Sequence, residues 1–441
     1  MTRLNDKVVS YVETESIELC DAATVRALKE ALIDIVGCTV AGGQAPAAAM
    51  TRMFAIRQWG RGDCTLFLAA ERLSPAGAAL VNATLANSLD LDDGHRLVKG
   101  HPGAVVFPAA LAAAEDAGAD GRQFLSALLV GYEVGIRAGM LAHRLRPEYH
   151  CTGSWGALGA AAAAACLLGL KGRQIEHALG VAEYHSTYSP MMRCIDTPSM
   201  VKDGIGWGSM TGISSAYLAA EGFTGIPSLF TLEDTTSLTD ELGGSYRIHQ
   251  LYYKPHACCR WAQPAVEAID DMMRQHRLPY REIEAMIIYT FAESARLQQT
   301  PPASTEEAQY HLFFPAACRL VFGEVGPEQV LHELRNPEVL KLMGKMEAQV
   351  DPGLNREFPQ KALSRVEIRT TDGARYVSDV KQAKGDYDFP LTAEQKKGKF
   401  MKLTVPVLGQ ERSAELLDTL ERIEELDSLR RLTALIAASA R

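Results

Sequence analysis

Residues 152–170 read TGSWGALGAAAAAACLLGL, nineteen positions without a charged side chain. The Gly and Ala content makes the run only weakly hydrophobic for a membrane span. Its small residues suit close helix packing, so it reads as a buried core helix. The helical period extends outward on both sides: VRALKEALIDIVGCTVAGG, AGAALVNATLANSLDLDD, VVFPAALAAAEDAGADG and RQFLSALLVGYEVGIRAGMLA precede it, and GSMTGISSAYLAAEGFTG follows. Many of these runs stop on Gly after a last apolar residue, as helices do. An all-helical region therefore runs to about residue 230.

The texture changes after about residue 262. EAMIIYTF (284–291) is rich in strand formers, and SRVEIRTTDGARYVSDV (364–380) alternates around an Asp-Gly turn, the pattern of a hairpin. Polar helical periods resume from LTAEQKKGKFMKLTVPVLG to the C-terminus. The chain is thus expected to be mainly α. A large all-α domain (1–262, completed by 394–441) carries a smaller inserted α+β lid domain (263–393), a division in keeping with 441 residues.

Hydrophobic residues make up 47% and charged residues 22%, an ordinary globular balance. The net charge of -9, with no Lys/Arg cluster, argues against a nucleic-acid partner. It also draws attention to places where cations do gather. Nine cysteines without framework spacing are expected to be free thiols in a cytoplasmic protein. The N-terminal MTRLNDKVVSYVETES reads as an amphipathic helix rather than a signal peptide, and no membrane partner is expected.

Four segments carry candidate chemistry. NATLANSLDLDDGHRLVKGHPGAVVFPAA places Asp90, Asp92, Asp93, His95 and His101 in a polar break between two apolar helices. His101 sits where free backbone N–H groups favour an anion. Alternatively the segment is a solvated loop with Asp caps. An Asp-x-Asp-Asp cluster is also the ligand type for Mg²⁺ in helical isoprenoid synthases, but no second acidic motif accompanies it. In RPEYHCTGSWGALG, His150 precedes a Gly-rich helix start, where it either exchanges protons or merely caps and packs. The Gly spacing matches no phosphate loop. YHSTYSPMMRCIDTPSMVKDGIGWGSMTG carries Arg193 and Lys202 among small residues, as a pocket wall or a surface loop. LYYKPHACCRWAQPAVEA brings Lys254, His256, Cys258, Cys259 and Arg260 to the change of texture, where clefts form. Adjacent cysteines do not suit a zinc site.

Taken in this order and spacing, the segments resemble the MmgE/PrpD family, whose members include 2-methylcitrate dehydratase, cis-aconitate decarboxylase and iminodisuccinate epimerase. The resemblance spans nearly the whole chain. It is most specific in NSLDLDDGHRLVKGHPGAVVFPAALAAAE, HCTGSWGALGAAAAA, PSMVKDGIGWGSMTG and YKPHACCRW. It implies a site between the helical domain and the lid, and homodimers. Asp90, His101 and His150 match site positions of the decarboxylase branch, as does Lys254; Lys202 matches a site lysine across a one-residue gap. Cys259 stands where that branch has a histidine, and Gly94 where it has a threonine.

The expected activity is that of a cofactor-independent lyase on a small di- or tricarboxylic acid, foremost a dehydratase of the 2-methylcitrate dehydratase type. Epimerisation of a substituted succinate and decarboxylation of a cis-aconitate-like acid are the alternatives. A non-catalytic helical dimer is an alternative of another class. In the enzymatic reading His101 and His150 share the base and acid roles, and Asp90 fixes a histidine tautomer. Lys202, Lys254 and Arg260 hold carboxylates and developing charge, with Cys259, Arg193 and His95 alongside. Histidine suits such work near neutrality because its ordinary pKa is about 6.5. No metal or organic cofactor is expected.

Overall fold

The computed structural model describes residues 6–146, 148–232 and 236–438. Thr152–Leu167 is a helix at the centre of the molecule, packed against Pro102–Ala117, Gly121–Leu145, Arg173–His185 and Ile205–Ala220. Every residue from Thr152 to Ala165 is buried. Missing side chains explain how closely its neighbours approach. A Cβ on Gly159 would lie 2.6 Å from the Gly131 carbonyl oxygen and 2.9 Å from Gly135 Cα. One at Gly208 would meet Gly153 Cα at 2.6 Å. Interiors this dense leave no room for even one extra methyl.

Gly121–Leu145 is long and apolar enough by composition to cross a membrane, yet 94% of its most apolar window is buried inside the protein. It also carries the fully buried Glu133–Arg137 pair. Glu133 accepts from the backbone N–H groups of Arg247 and Ile248, and Arg137 donates to the carbonyls of Leu238 and Ser245. A buried ion pair is tolerable only when its remaining donors and acceptors are satisfied in this way.

The mainly α expectation holds, with one larger sheet among the described residues. In it Ile283–Thr290 lies between Met346–Val350, to which it is parallel, and Leu363–Thr370, to which it is antiparallel. Arg375–Val377 completes the hairpin around Asp372-Gly373, whose glycine takes φ 86. Gln263–His276 packs on this sheet. Ala393–Leu408 returns to pack on Ala22–Gly42. A small antiparallel ladder joins Gly94–His95 to Leu251–Tyr252, with Gly94 opposite Tyr252. It ties the polar break after Pro75–Asn87 to the segment carrying Lys254 and Arg260. All nine cysteines are free.

Candidate active site

The site is built where two chain segments are held in costly backbone. Five described non-glycine residues take positive φ, and three belong here: Asp90 (φ 52), Lys99 (φ 50) and Lys202 (φ 43). Such residues persist only where the surroundings over-determine them. Around them lies a cavity lined by Asp90, His101, Asp203, Tyr252, Lys254 and Tyr310, with Lys99, Tyr149, Cys259 and Arg260 also on its wall.

His101 is the N-cap of Pro102–Ala117. Its backbone N–H donates to Thr152 Oγ1 at 3.2 Å, and that hydroxyl donates to Asp203 Oδ2 at 3.0 Å. The ring is ringed by carboxylates: Nδ1 lies 3.1 Å from Asp92 Oδ2, and Nε2 lies 3.6 Å from Asp90 Oδ1 and 3.7 Å from Asp203 Oδ2. The Asp92 contact is the shortest of the three. Burial works against the imidazolium, but Asp92 and then Asp90 outweigh it and leave the His101 pKa above its ordinary value. Burial alone would raise Asp92; His101, Lys254 and Lys202 overcome it and hold Asp92 down at about 2. Burial, then Asp34 and Asp92, push neighbouring Asp93 up to about 8, so it is mostly neutral at pH 7. Asp203 is raised by burial against the pull of His101.

The cations are already engaged. Lys254 Nζ lies 2.7 Å from Asp90 Oδ1 and donates to the Asp90 carbonyl at 2.9 Å. Arg260 makes a bidentate pair with buried Asp386, at 2.9 and 2.6 Å. Lys202 lies behind the wall, donating to Asn87 O and Gln309 Oε1, both at 2.6 Å, and its ammonium sits 5.6 Å from the Tyr310 ring centre. Asp90, Asp92 and His101 each offer an atom within 4.8 Å of the others, a spacing compatible with a metal ion. A cation there would compete with Lys254, whose ammonium already occupies the Asp90 carboxylate.

Of the residues singled out from sequence, Asp90, His101, Lys254, Cys259 and Arg260 meet at this cavity, and Lys202 buttresses it. Burial pushes the Cys259 thiol up to about 12, so it is a neutral wall rather than a thiolate. Three residues lie elsewhere, for physical reasons. Arg193 is exposed on the short helix Met191–Asp196; Met191 and Ile195, one turn apart, face the cavity, and a residue midway between them points away. His95 follows Gly94 in a strand, so strand alternation sends it to the opposite face, where burial and then Arg247 hold its pKa down at about 3. His150 packs between His143 and Tyr188, ring centres 5.1 and 4.6 Å away, while its neighbour Tyr149 takes the cavity wall. Its Nε2 lies 3.2 Å from both the Arg146 carbonyl and the Tyr188 hydroxyl. Burial lowers its pKa. The structure therefore does not bring the two histidines together.

Asp203, Tyr252, Tyr310 and Lys99 were not singled out as site residues, and Asp92 was named only within its acidic cluster. All but Tyr310 stand within the quoted motifs, and Asp203 directly follows Lys202.

The MmgE/PrpD N-terminal domain model matches residues 6–242 and the C-terminal domain model residues 256–425. Similar curated proteins include a cis-aconitate decarboxylase-like protein oryM from Aspergillus oryzae, 25% identical across 94% of this chain and 93% of its own length. Cis-aconitate decarboxylase from Aspergillus terreus is 24% identical, covering 92% of this chain and 90% of its own length. The Homo sapiens cis-aconitate decarboxylase is 25% identical over 86% and 81%. With both domains of the family matched in sequence, the chain belongs to the MmgE/PrpD family.

Proposed function

We propose that this protein is a lyase acting on a small di- or tricarboxylic acid by removing a proton next to a carboxylate, foremost as a dehydratase. The observation that carries the reading is one buried histidine held among Asp92, Asp90 and Asp203 on a cavity wall that also bears Lys254. A carbon acid of this kind needs a positioned base and stabilisation of the carbanion or aci-carboxylate that forms. With its Nδ1 proton turned to Asp92, His101 presents Nε2 as the base, a tautomer assigned from the carboxylate beside it. The C–H proton passes to Nε2, and the negative charge forming on the substrate is met by Lys254 and Lys99.

Asp203 takes the acid role that the sequence had suggested for a second histidine. Its raised pKa favours a bound proton, which it gives to the departing hydroxide as the C–O bond breaks, releasing water and leaving an alkene. The proton on Nε2 then returns to Asp203 Oδ2, 3.7 Å away, and restores the starting state. The sheet-containing unit, acting as a lid, would exclude water from these steps, and a homodimer is the expected assembly.

The second reading is decarboxylation, in which carbon dioxide departs and an acid protonates the carbon. The names of the relatives favour it. By the family resemblance Gly94 and Cys259 stand where the decarboxylase branch has threonine and histidine, and these departures weigh against decarboxylation. Proton NMR of chelator-treated enzyme with citrate, 2-methylcitrate, cis-aconitate and substituted succinates separates them. A new alkene signal with water loss supports the dehydratase; loss of a carboxylate carbon as bicarbonate supports the decarboxylase. Inversion at carbon without either product points to epimerisation, and silence across the panel contradicts the proposal.

A further inference from the structure

Gly94 and Tyr252 face each other across the small ladder, and the tyrosine ring lies over the glycine. A Cβ at position 94 would stand 2.2 Å from Tyr252 Cζ, 2.3 Å from its hydroxyl oxygen and 2.6 Å from Cε2. Gly94 is not among the residues at positive φ, so its backbone does not demand glycine. What demands it is the ring. Any side chain at 94 would evict Tyr252 from its present place.

The ring so seated is 6% exposed and lines the cavity with Lys254 and Arg260 beside it. Arg260 stacks over it, 5.2 Å from the ring centre. The neighbouring donors are committed: Tyr149 to the Lys99 carbonyl, Tyr310 toward Asp203 Oδ1 at 3.5 Å, Lys254 to Asp90 and Arg260 to Asp386. The Tyr252 hydroxyl has no hydrogen-bond partner among the described residues. Burial raises its pKa, so it remains a neutral donor throughout the physiological range. The hydroxyl is not sealed off: it borders the cavity, where a ligand oxygen can take the bond that no neighbouring side chain takes.

We propose that the Tyr252 hydroxyl, seated by the absent side chain of Gly94, donates to an anionic oxygen of the carboxylic-acid substrate and sets which acid the cavity accepts. The inference rests on the carboxylic-acid reading of the site. It makes positions 94 and 252 one unit: a side chain at 94 and the tyrosine hydroxyl are mutually exclusive ways of filling the same corner. A hydrogen bond to a charged group has roughly the worth of a tenfold change in affinity or more.

Calorimetric titration of the full-length protein with citrate, cis-aconitate, tricarballylate and succinate tests the unit. The tightest of the four is expected to lose about tenfold in affinity for Tyr252→Phe, which keeps the ring and the melting temperature. Gly94→Ala should lose at least as much. Adding Gly94→Ala to Tyr252→Ala should cost less than about twofold, because the ring it displaces is already gone. Unchanged affinity in Tyr252→Phe, or full multiplication of the Gly94→Ala and Tyr252→Ala losses, would overturn this inference alone. Absence of binding by the unaltered protein to all four acids would overturn the carboxylic-acid reading and this inference with it.

Discussion

His101 and His150 begin from nearly the same local sequence, each a histidine at the start of an apolar, glycine-containing helix, yet the fold gives them opposite surroundings. His101 meets three carboxylates on a cavity wall, and its pKa rises. His150 meets two aromatic rings and a carbonyl away from that wall, and its pKa falls. The lesson is that helix-start position supplies neither charge nor access. Those come from what distant segments place opposite the ring, above all Asp92 from the preceding loop and Asp203 from the segment after residue 200.

The sharpest way to break the contrast is to exchange each ring for an amide. His101→Asn is expected to reduce kcat/KM by about a thousandfold, within the range for losing a general base, and His150→Gln by less than about fivefold. Steady-state kinetics on the substrate identified by NMR reads both. Equal losses would erase the distinction.

Asp92→Asn probes the cause of the difference rather than the ring itself. Proton abstraction needs neutral His101, so kcat/KM should rise with pH through an apparent pKa above about 6.5, the ordinary histidine value. Removing the Asp92 charge leaves burial to dominate, so that limb should move to lower pH, with roughly a hundredfold loss at the plateau as the tautomer is no longer held. A limb that stays in place would separate Asp92 from His101.

Lys202→Met asks whether the buttress behind the cavity is structural. It strips Asn87 O and Gln309 Oε1 of their shared donor, and each buried acceptor left bare costs about 1–3 kcal/mol. Urea unfolding should show a loss of that order.

The smallest effect is expected at Asp93. Its folded pKa of about 8 exceeds the unfolded value of about 3.9, so the folded state holds a proton that the unfolded state releases, and stability falls as pH rises between them. Asp93→Asn mimics the neutral acid; its melting temperature at pH 7 should equal or exceed that of the unaltered protein and vary less with pH across this window.

Much of this was legible in the sequence because it depends on short-range pattern. The uncharged run at 152–170 holds its helix by period and small side chains, and Asp372-Gly373 marks its hairpin by the one residue that tolerates positive φ there. Asp90, His101 and Lys254 declared themselves by charge in apolar company. What escaped was orientation and distant pairing. Arg193 and His95 carry suitable chemistry on the wrong side of a helix turn and a strand. Asp203 was overshadowed by Lys202 next to it, and Tyr310 closes the short polar helix Thr305–Gln309 with no local pattern to mark it. The clash that links Gly94 to Tyr252 exists only once residues 158 positions apart are paired across a ladder.

The most direct test of the central claim is deuterium exchange. Incubated in D₂O with the acid that the NMR panel identifies, the unaltered enzyme and His150→Gln should both place deuterium on the carbon next to the carboxylate. His101→Asn should not. Exchange that persists in His101→Asn, or that vanishes in His150→Gln while His101→Asn retains it, would contradict the assignment of His101 as the proton-transferring residue.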